Sequence, residues 1–237
     1  SAAERWNYLK LARQHLDELG QLRPGLWRLV RGELEQDRWL AEPFWMMIFL
    51  ATEWMPDNRW FLEIGLSRAK QENNSVALVK LLQIGLVRFP GDMLFYREAY
   101  NLKFDQGDLA DALGLISDML QRFPDDLEPI YYGLRTTLYL PREGEFNRFR
   151  TLAEEKKMPG HVLCLIDYVY AFLRGRKEQA NLCLDEFRRK YPSLSYYSDL
   201  LRFATTADLP ARPEGINQAI FSSVDQFCKR MLKIGDT

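Results

Sequence analysis

The side chains best suited to catalysis or metal binding are few in this sequence and widely spaced. The two histidines, His15 and His161, have no Cys, Asp or Glu beside them in a metal-ligand pattern. Cys164, Cys183 and Cys228 also lack metal-type spacing, so we expect reduced, buried thiols. The sequence contains neither a glycine-rich phosphate loop nor a Gly-x-Ser-x-Gly elbow. We therefore expect no metal, no cofactor and no enzymatic activity. An all-helical enzyme, with catalytic residues dispersed along the chain, is the remote alternative.

The composition excludes several other classes of protein. The chain of 237 residues carries 32 basic and 33 acidic side chains, whereas nucleic-acid binders usually show a strong basic excess. Hydrophobic residues make up 47%, too many for intrinsic disorder. The longest apolar run, residues 44–51, is far shorter than the roughly 20 residues of a membrane span. We expect a folded protein with no nucleic-acid partner and no membrane span in this chain.

Prolines recur at nearly constant spacing along most of the sequence. Pro56, Pro90 and Pro124 are 34 residues apart, and Pro24, Pro159 and Pro192 extend the series with spacings of 32 to 35. The residues 12, 8 and 5 places before most of these prolines are apolar and lie on one face of a helix, as in Ala112, Ile116 and Met119. Before Pro159 this face is shifted to Phe146, Phe149 and Ala153, which indicates an insertion near Lys156-Lys157. The period predicts a helix that ends at each of these prolines.

A second set of positions repeats with the same period and predicts a preceding helix in each unit. Gly65, Ala99 and Gly133 are 34 residues apart, and small residues let two helices approach closely. Larger apolar residues flank them and would form the core between helices: Leu62, Leu66, Tyr96, Tyr100, Ile130 and Leu134. With the turn signals between them, these patterns predict helices at about 3–20, 25–40, 43–54, 58–72, 75–88, 92–105, 109–122, 127–140, 144–157, 161–174, 177–190, 194–206 and 215–233.

Residues 93–126 resemble one tetratricopeptide repeat. Gly107-Asp108 at the turn, Ala112 four residues later and Pro124 at the end match that family's pattern, while Tyr100 stands where the family usually has a small residue. The resemblance extends over roughly residues 4–206, and it implies an all-α, right-handed superhelical solenoid of about six helical hairpins. It also implies a non-catalytic scaffold that binds a partner protein or peptide on the concave face lined by the first helix of each pair.

The domain organisation follows from the same repeat. We expect a repeat array over residues 1–206, a linker over 207–213 and a C-terminal capping helix over 214–237. The apolar stripe of this last helix, Ile216, Ile220, Val224, Phe227 and Met231, would cover the core face that the last repeat otherwise exposes.

The inward positions of the first helices give the candidate partner-binding residues. In the register set by the prolines these positions carry polar and aromatic side chains: Glu63, Ser67, Lys70, Arg97, Asn101, Phe104, Tyr131, Arg135 and Tyr139. Arg97 and Asn101 lie one helical turn apart, and such a pair can clamp a carboxylate and the adjoining backbone. The alternative is that all nine are ordinary exposed helix positions.

The apolar run 44–51 raises a second function hypothesis. Burial of this helix inside the array is one explanation, and an exposed patch for another copy or for an assembly partner is the other. In the second case Trp45, Met46, Met47 and Phe49 are the candidate oligomer contacts. The chain would then be a structural subunit of a bacterial secretion or polysaccharide-export assembly. Because the sequence begins with Ser1 rather than Met, we interpret it as a fragment of a longer protein. We expect a location in the cytoplasm or on the cytoplasmic face of a membrane complex, with the periplasm left open.

Overall fold

The computed structural model describes residues 41–206 and 213–234, and within these ranges the fold is all-helical, without strands. The eleven α-helices are α1 (Ala41–Trp54), α2 (Arg59–Gln71), α3 (Ser75–Arg88), α4 (Met93–Asp105), α5 (Leu109–Arg122), α6 (Glu128–Thr137), α7 (Glu143–Glu155), α8 (Gly160–Leu173), α9 (Lys177–Lys190), α10 (Ser195–Thr206) and α11 (Pro213–Leu232). A short 3₁₀ turn, Pro192–Leu194, precedes α10.

The predicted helix boundaries agree closely with this structure. Three predicted ranges, 75–88, 109–122 and 177–190, are reproduced without change, and no other end differs by more than three residues. The largest difference is at α6, which ends at Thr137 rather than at residue 140. The helices predicted at 3–20 and 25–40 lie outside the described residues.

The turns inside three of the described pairs, α2–α3, α4–α5 and α8–α9, share one backbone geometry. Asn73, Gly107 and Gly175 follow α2, α4 and α8 with positive φ angles of 52°, 76° and 70°. In each case the next N–H returns to a carbonyl five residues back, for example from Asp108 to Lys103 over 2.9 Å. This is the hydrogen bond of a Schellman motif, in which glycine and asparagine tolerate the left-handed conformation. The positions are spaced by 34 residues or by twice that number, so the period of the sequence is also a period of the backbone.

The ends of the second helices repeat as well. Phe89, Phe123 and Tyr191 end α3, α5 and α9 with φ between −127° and −122° and ψ between 60° and 65°. Helix α7 ends differently, because Lys157 adopts a positive φ of 57°. The irregular end of α7 lies at the predicted insertion.

The chain forms two compact units that divide within α4, between Ala99 and Tyr100. In the first unit α1 packs on α2 and α2 packs on α3. Their core includes Phe44, Ile48, Phe61, Leu62 and Leu81, each at most 3% exposed. A Cβ atom built on Gly65 would lie 2.8 Å from the Leu81 side chain and 2.9 Å from that of Ile48, so close approach of these helices requires the glycine.

In the second unit each helix packs on its neighbour in sequence from α5 to α7 and from α8 to α10. All six predicted core positions of the first helices are buried in their respective units, and so is the shifted face of α7. The sequence register is therefore confirmed at these positions. Helix α11 departs from the sequential pattern, because it packs on α8 as well as on α10.

The N-cap of α3 provides a test of this local geometry. The Asn74 side chain accepts a hydrogen bond of 3.1 Å from the Ala77 N–H and so satisfies one free donor of the first turn. We expect Asn74→Ala to lower the free energy of unfolding by about 1 kcal/mol, and Asn74→Ser to preserve most of it. Denaturant unfolding measures both; equal losses in the two variants would contradict a capping role.

Candidate functional site

Five of the nine predicted partner-facing residues meet in one cluster in the second unit. They come from two first helices, α4 and α6, and from the turn after α6: Asn101, Phe104, Tyr131, Arg135 and Tyr139. The alternation of apolar core and polar inward positions along α4 and α6 places these side chains on the same side. The cluster is therefore a consequence of the register that the prolines predicted.

Arg135 lies at the centre of this cluster and is held from the α4 side. Its guanidinium carbon lies 3.9 Å from the centroid of the Phe104 ring, and its Nη1 donates a hydrogen bond of 3.4 Å to Asn101 Oδ1. Phe104 in turn meets the Tyr139 ring edge to face at 5.4 Å. Cation–π contact and the amide acceptor together fix the direction of the guanidinium.

Helix α11 supplies the negative charge that faces Arg135. Asp225 Oδ1 lies 3.0 Å from Arg135 Nε and accepts a hydrogen bond of 2.7 Å from the Tyr131 hydroxyl. Its other oxygen pairs with Lys229 Nζ at 2.9 Å. The Arg135 and Asp225 side chains are each 10% exposed, so the ion pair is largely removed from water.

Apolar contacts surround the ion pair and complete a surface that we call the α11 seat. On the first helices it comprises Tyr131, Arg135, Leu138, Ile166, Val169 and Tyr197. Against it α11 places Phe221, Val224, Asp225, Phe227 and Cys228. The Tyr197 and Phe227 rings stack at 4.6 Å, and Phe221 meets the 40% exposed Tyr139 at 4.9 Å. The seat thus holds an amphipathic helix by an apolar face with one carboxylate inside it.

This arrangement corrects one expectation from the sequence and extends another. Tyr131 and Arg135 were expected on a face open to a partner, but they are 3% and 9% exposed because α11 covers them. Helix α11 was expected to cap the end of the array; it packs on α10, and it also lies against α6 and α8. Tyr131 and Asp225 are 94 residues apart in sequence, so local patterns did not indicate this contact.

The remaining predicted partner-facing residues belong to the first unit. Ser67 and Lys70 are exposed, and Glu63 and Arg97 are half-buried. Lys70 pairs with Glu98 at 2.5 Å, and Glu63 pairs with Arg59. Their role in binding stays a prediction.

The candidate oligomer contacts on α1 are largely engaged inside the first unit. Met47 is 3% exposed, while Trp45, Met46 and Phe49 are half-buried. Trp45 donates a hydrogen bond of 3.0 Å from its indole nitrogen to Glu72, and Lys80 lies 4.2 Å from the Phe49 ring. Met47 is therefore a core residue rather than an open contact.

The main residues missed from the sequence, Phe221 and Asp225, lie on α11. They share one face with Val224 and Cys228 at spacings of three and four, and Asp225 is the one charged residue among the four. An isolated carboxylate in an apolar helix face signals a buried cation opposite, because an unpaired buried charge is strongly unfavourable. The sequence of α11 therefore indicated that Asp225 faces a buried cation, but it did not identify Arg135 as that cation.

Burial favours the neutral forms of the tyrosine and cysteine side chains in the seat, in contrast to the charged Arg135 and Asp225. Burial raises the pKa of the Tyr131 hydroxyl well above its ordinary value, and burial raises the pKa of the Tyr197 hydroxyl to about 12. Burial also raises the pKa of the Cys228 thiol, and of Cys183 to about 11, which leaves these thiols poorly nucleophilic at neutral pH. Within residues 41–206 and 213–234 no group of three His, Cys, Asp or Glu side chains is placed to hold a metal ion.

The buried tyrosines predict a loss of stability at alkaline pH. Burial raises the pKa of Tyr100 from 10.0 to about 12, so its neutral form stabilises the fold fully below pH 10 and this contribution is lost as pH rises towards 12. Tyr100→Phe should reduce the alkaline fall in the free energy of unfolding by roughly 2 kcal/mol. Denaturant unfolding at neutral pH and above pH 10 measures this; identical alkaline falls in both proteins would contradict it.

None of the helices that the structure describes is both long and apolar enough to cross a bilayer. Comparison of the sequence and structure with protein-family models, with curated proteins and with solved structures finds no match.

Proposed function

We propose that this protein is a non-catalytic interaction scaffold, built as an array of tetratricopeptide-like helical pairs, that binds a partner protein or peptide on the face of its first helices. The observation that carries the proposal is the α11 seat. There the inward side chains of the first helices hold an amphipathic helix through ring contacts, an apolar surface and a buried ion pair. Helix-in-groove binding of this kind is a recurring mode of protein recognition.

The chemistry of the cluster also favours recognition over catalysis. Tyrosine and arginine are enriched at binding hot spots, because they combine large contact area with directed hydrogen bonds. The phenols of the seat have raised pKa values, which suit hydrogen-bond donation to a carboxylate rather than proton abstraction. Each of these features serves to hold a ligand in one orientation.

Photo-crosslinking in the first unit tests the proposal on positions that stay accessible. Ser67 is exposed on the first helix α2, whereas Val87 is 79% exposed on the second helix α3 of the same pair. A photoreactive amino acid at either position, in the full chain expressed in its native cells, should leave folding intact. We expect a discrete protein adduct from position 67 and none from position 87. Adducts from position 87 alone, or from neither position, would contradict binding on the first helices.

A further inference from the structure

The contacts that α11 makes with the α11 seat indicate the chemistry of the ligand that this surface would bind. Four features of the bound helix contact it: an aromatic ring at Phe221, a branched side chain at Val224, a carboxylate at Asp225 and a second ring at Phe227. Relative to the carboxylate, the three apolar side chains occupy positions −4, −1 and +2. This pattern is a short amphipathic helix with one acidic residue inside its apolar face.

The cation of the seat is contacted from α4 as well as from α11. Phe104 and Asn101, both on α4, contact the Arg135 guanidinium from outside α11. A guanidinium that is already oriented loses little conformational freedom when it takes a carboxylate, so the seat is preorganised for an acidic ligand.

Helix α11 meets the seat through a long-range ion pair and a partly open rim. The ion pair joins residues that are 90 positions apart in sequence, and Tyr139 at the rim is 40% exposed. A buried ion pair contributes little net stability compared with apolar packing, and in some proteins it selects one register of helix pairing. In a recognition site the same selection gives specificity for one ligand.

We propose that the α11 seat is a binding groove for acidic amphipathic helices of partner proteins, and that α11 is its built-in, displaceable occupant. The inference rests on the proposed function and makes it more specific. A partner helix competes with α11 by presenting a carboxylate to Arg135 and rings to Tyr139 and Tyr197. Because α11 belongs to the same chain, it competes intramolecularly with any partner helix and holds the groove closed to weak or mismatched helices.

Peptide exchange on the full chain tests this inference. A specific protease site placed between α10 and α11 allows α11 to be cut free while it stays bound. The probe is a fluorescent peptide of residues 213–234, followed by anisotropy before and after cleavage. We expect weak binding to the uncut chain and strong binding after cleavage. Unfolding of the cut chain, or retention of the original α11 without exchange, would overturn the proposal.

Peptide variants test the carboxylate without altering the fold of the chain. Asp225→Asn and Gln226→Lys raise the peptide charge equally, but Gln226 is exposed on α11. We expect the peptide with Asp225→Asn to bind roughly 30-fold more weakly or worse, and the peptide with Gln226→Lys to bind nearly as the parent does. Equal binding of the two peptides would overturn recognition of the carboxylate.

A designed peptide separates the general ligand class from the particular sequence of α11. It keeps only the residues at −4, −1, 0 and +2 on a helical background of Ala, Lys and Gln, and it should compete with the fluorescent probe. Failure to compete would overturn the assigned ligand pattern. Adducts at position 67 without peptide exchange would refute the groove alone, whereas exchange without adducts would refute the proposed function.

Discussion

Replacing Arg135 by methionine should lower the free energy of unfolding by about 3–5 kcal/mol, because it leaves Asp225 buried without its main partner. Asp225 is 10% exposed and lies 3.0 Å from Arg135 Nε, so little water is present to replace the lost charge. The same substitution removes the guanidinium from its contact with the Phe104 ring. Denaturant unfolding of the full chain measures the loss.

A double-mutant cycle separates the ion pair from the packing of the two side chains. Asp225→Leu alone should also destabilise strongly, since it leaves Arg135 uncompensated, whereas Arg135→Met with Asp225→Leu should restore most of the stability. Arg188, more than half exposed and paired with Asp199 at 3.2 Å, is the matched control. We expect Arg188→Met to cost about 0–1 kcal/mol. Additive effects of the two buried substitutions would show that the pair is not coupled.

The helices and their boundaries were predictable because their signals are local. Pro90 and Pro124 follow the ends of two second helices, and Gly107 and Gly175 adopt the left-handed conformation that ends two first helices. Each of these residues acts on the few backbone groups beside it, so its effect is independent of the rest of the fold. The core register followed for the same reason, from spacings of three and four within single helices.

The candidate site was predictable only in part, because it joins distant segments. Inward-facing positions follow from helix periodicity, and this identified Arg135 and Tyr131 as residues of one face. The residues opposite Arg135 and Tyr131 depend on where α11 packs. Helix periodicity identifies the buried face of α11, but it does not identify the helices against which that face packs. Asp225 favours this position of α11, since it is the buried acidic group that contacts both Arg135 and Tyr131.

Gly133 should be the position of α6 at which added volume is least tolerated. A Cβ atom built there would lie 2.2 Å from two atoms of the Phe149 ring on α7, and Phe149 is itself buried. Gly133→Val therefore forces the ring or the whole of α7 away from α6. We expect a loss of roughly 3 kcal/mol or more in the free energy of unfolding, measured by denaturant unfolding.

Gly114 supplies the control for this substitution, because it lies on the exposed side of α5 and a Cβ atom there meets nothing within 4 Å. Gly114→Val should change stability by only about 0.5 kcal/mol, since valine is a better helix former than glycine. Combining Gly133→Val with Phe149→Ala should cost less than the sum of the two single effects, because the smaller side chain makes room for the new one. Strict additivity would mean that the close approach of α6 and α7 is not what requires glycine at position 133.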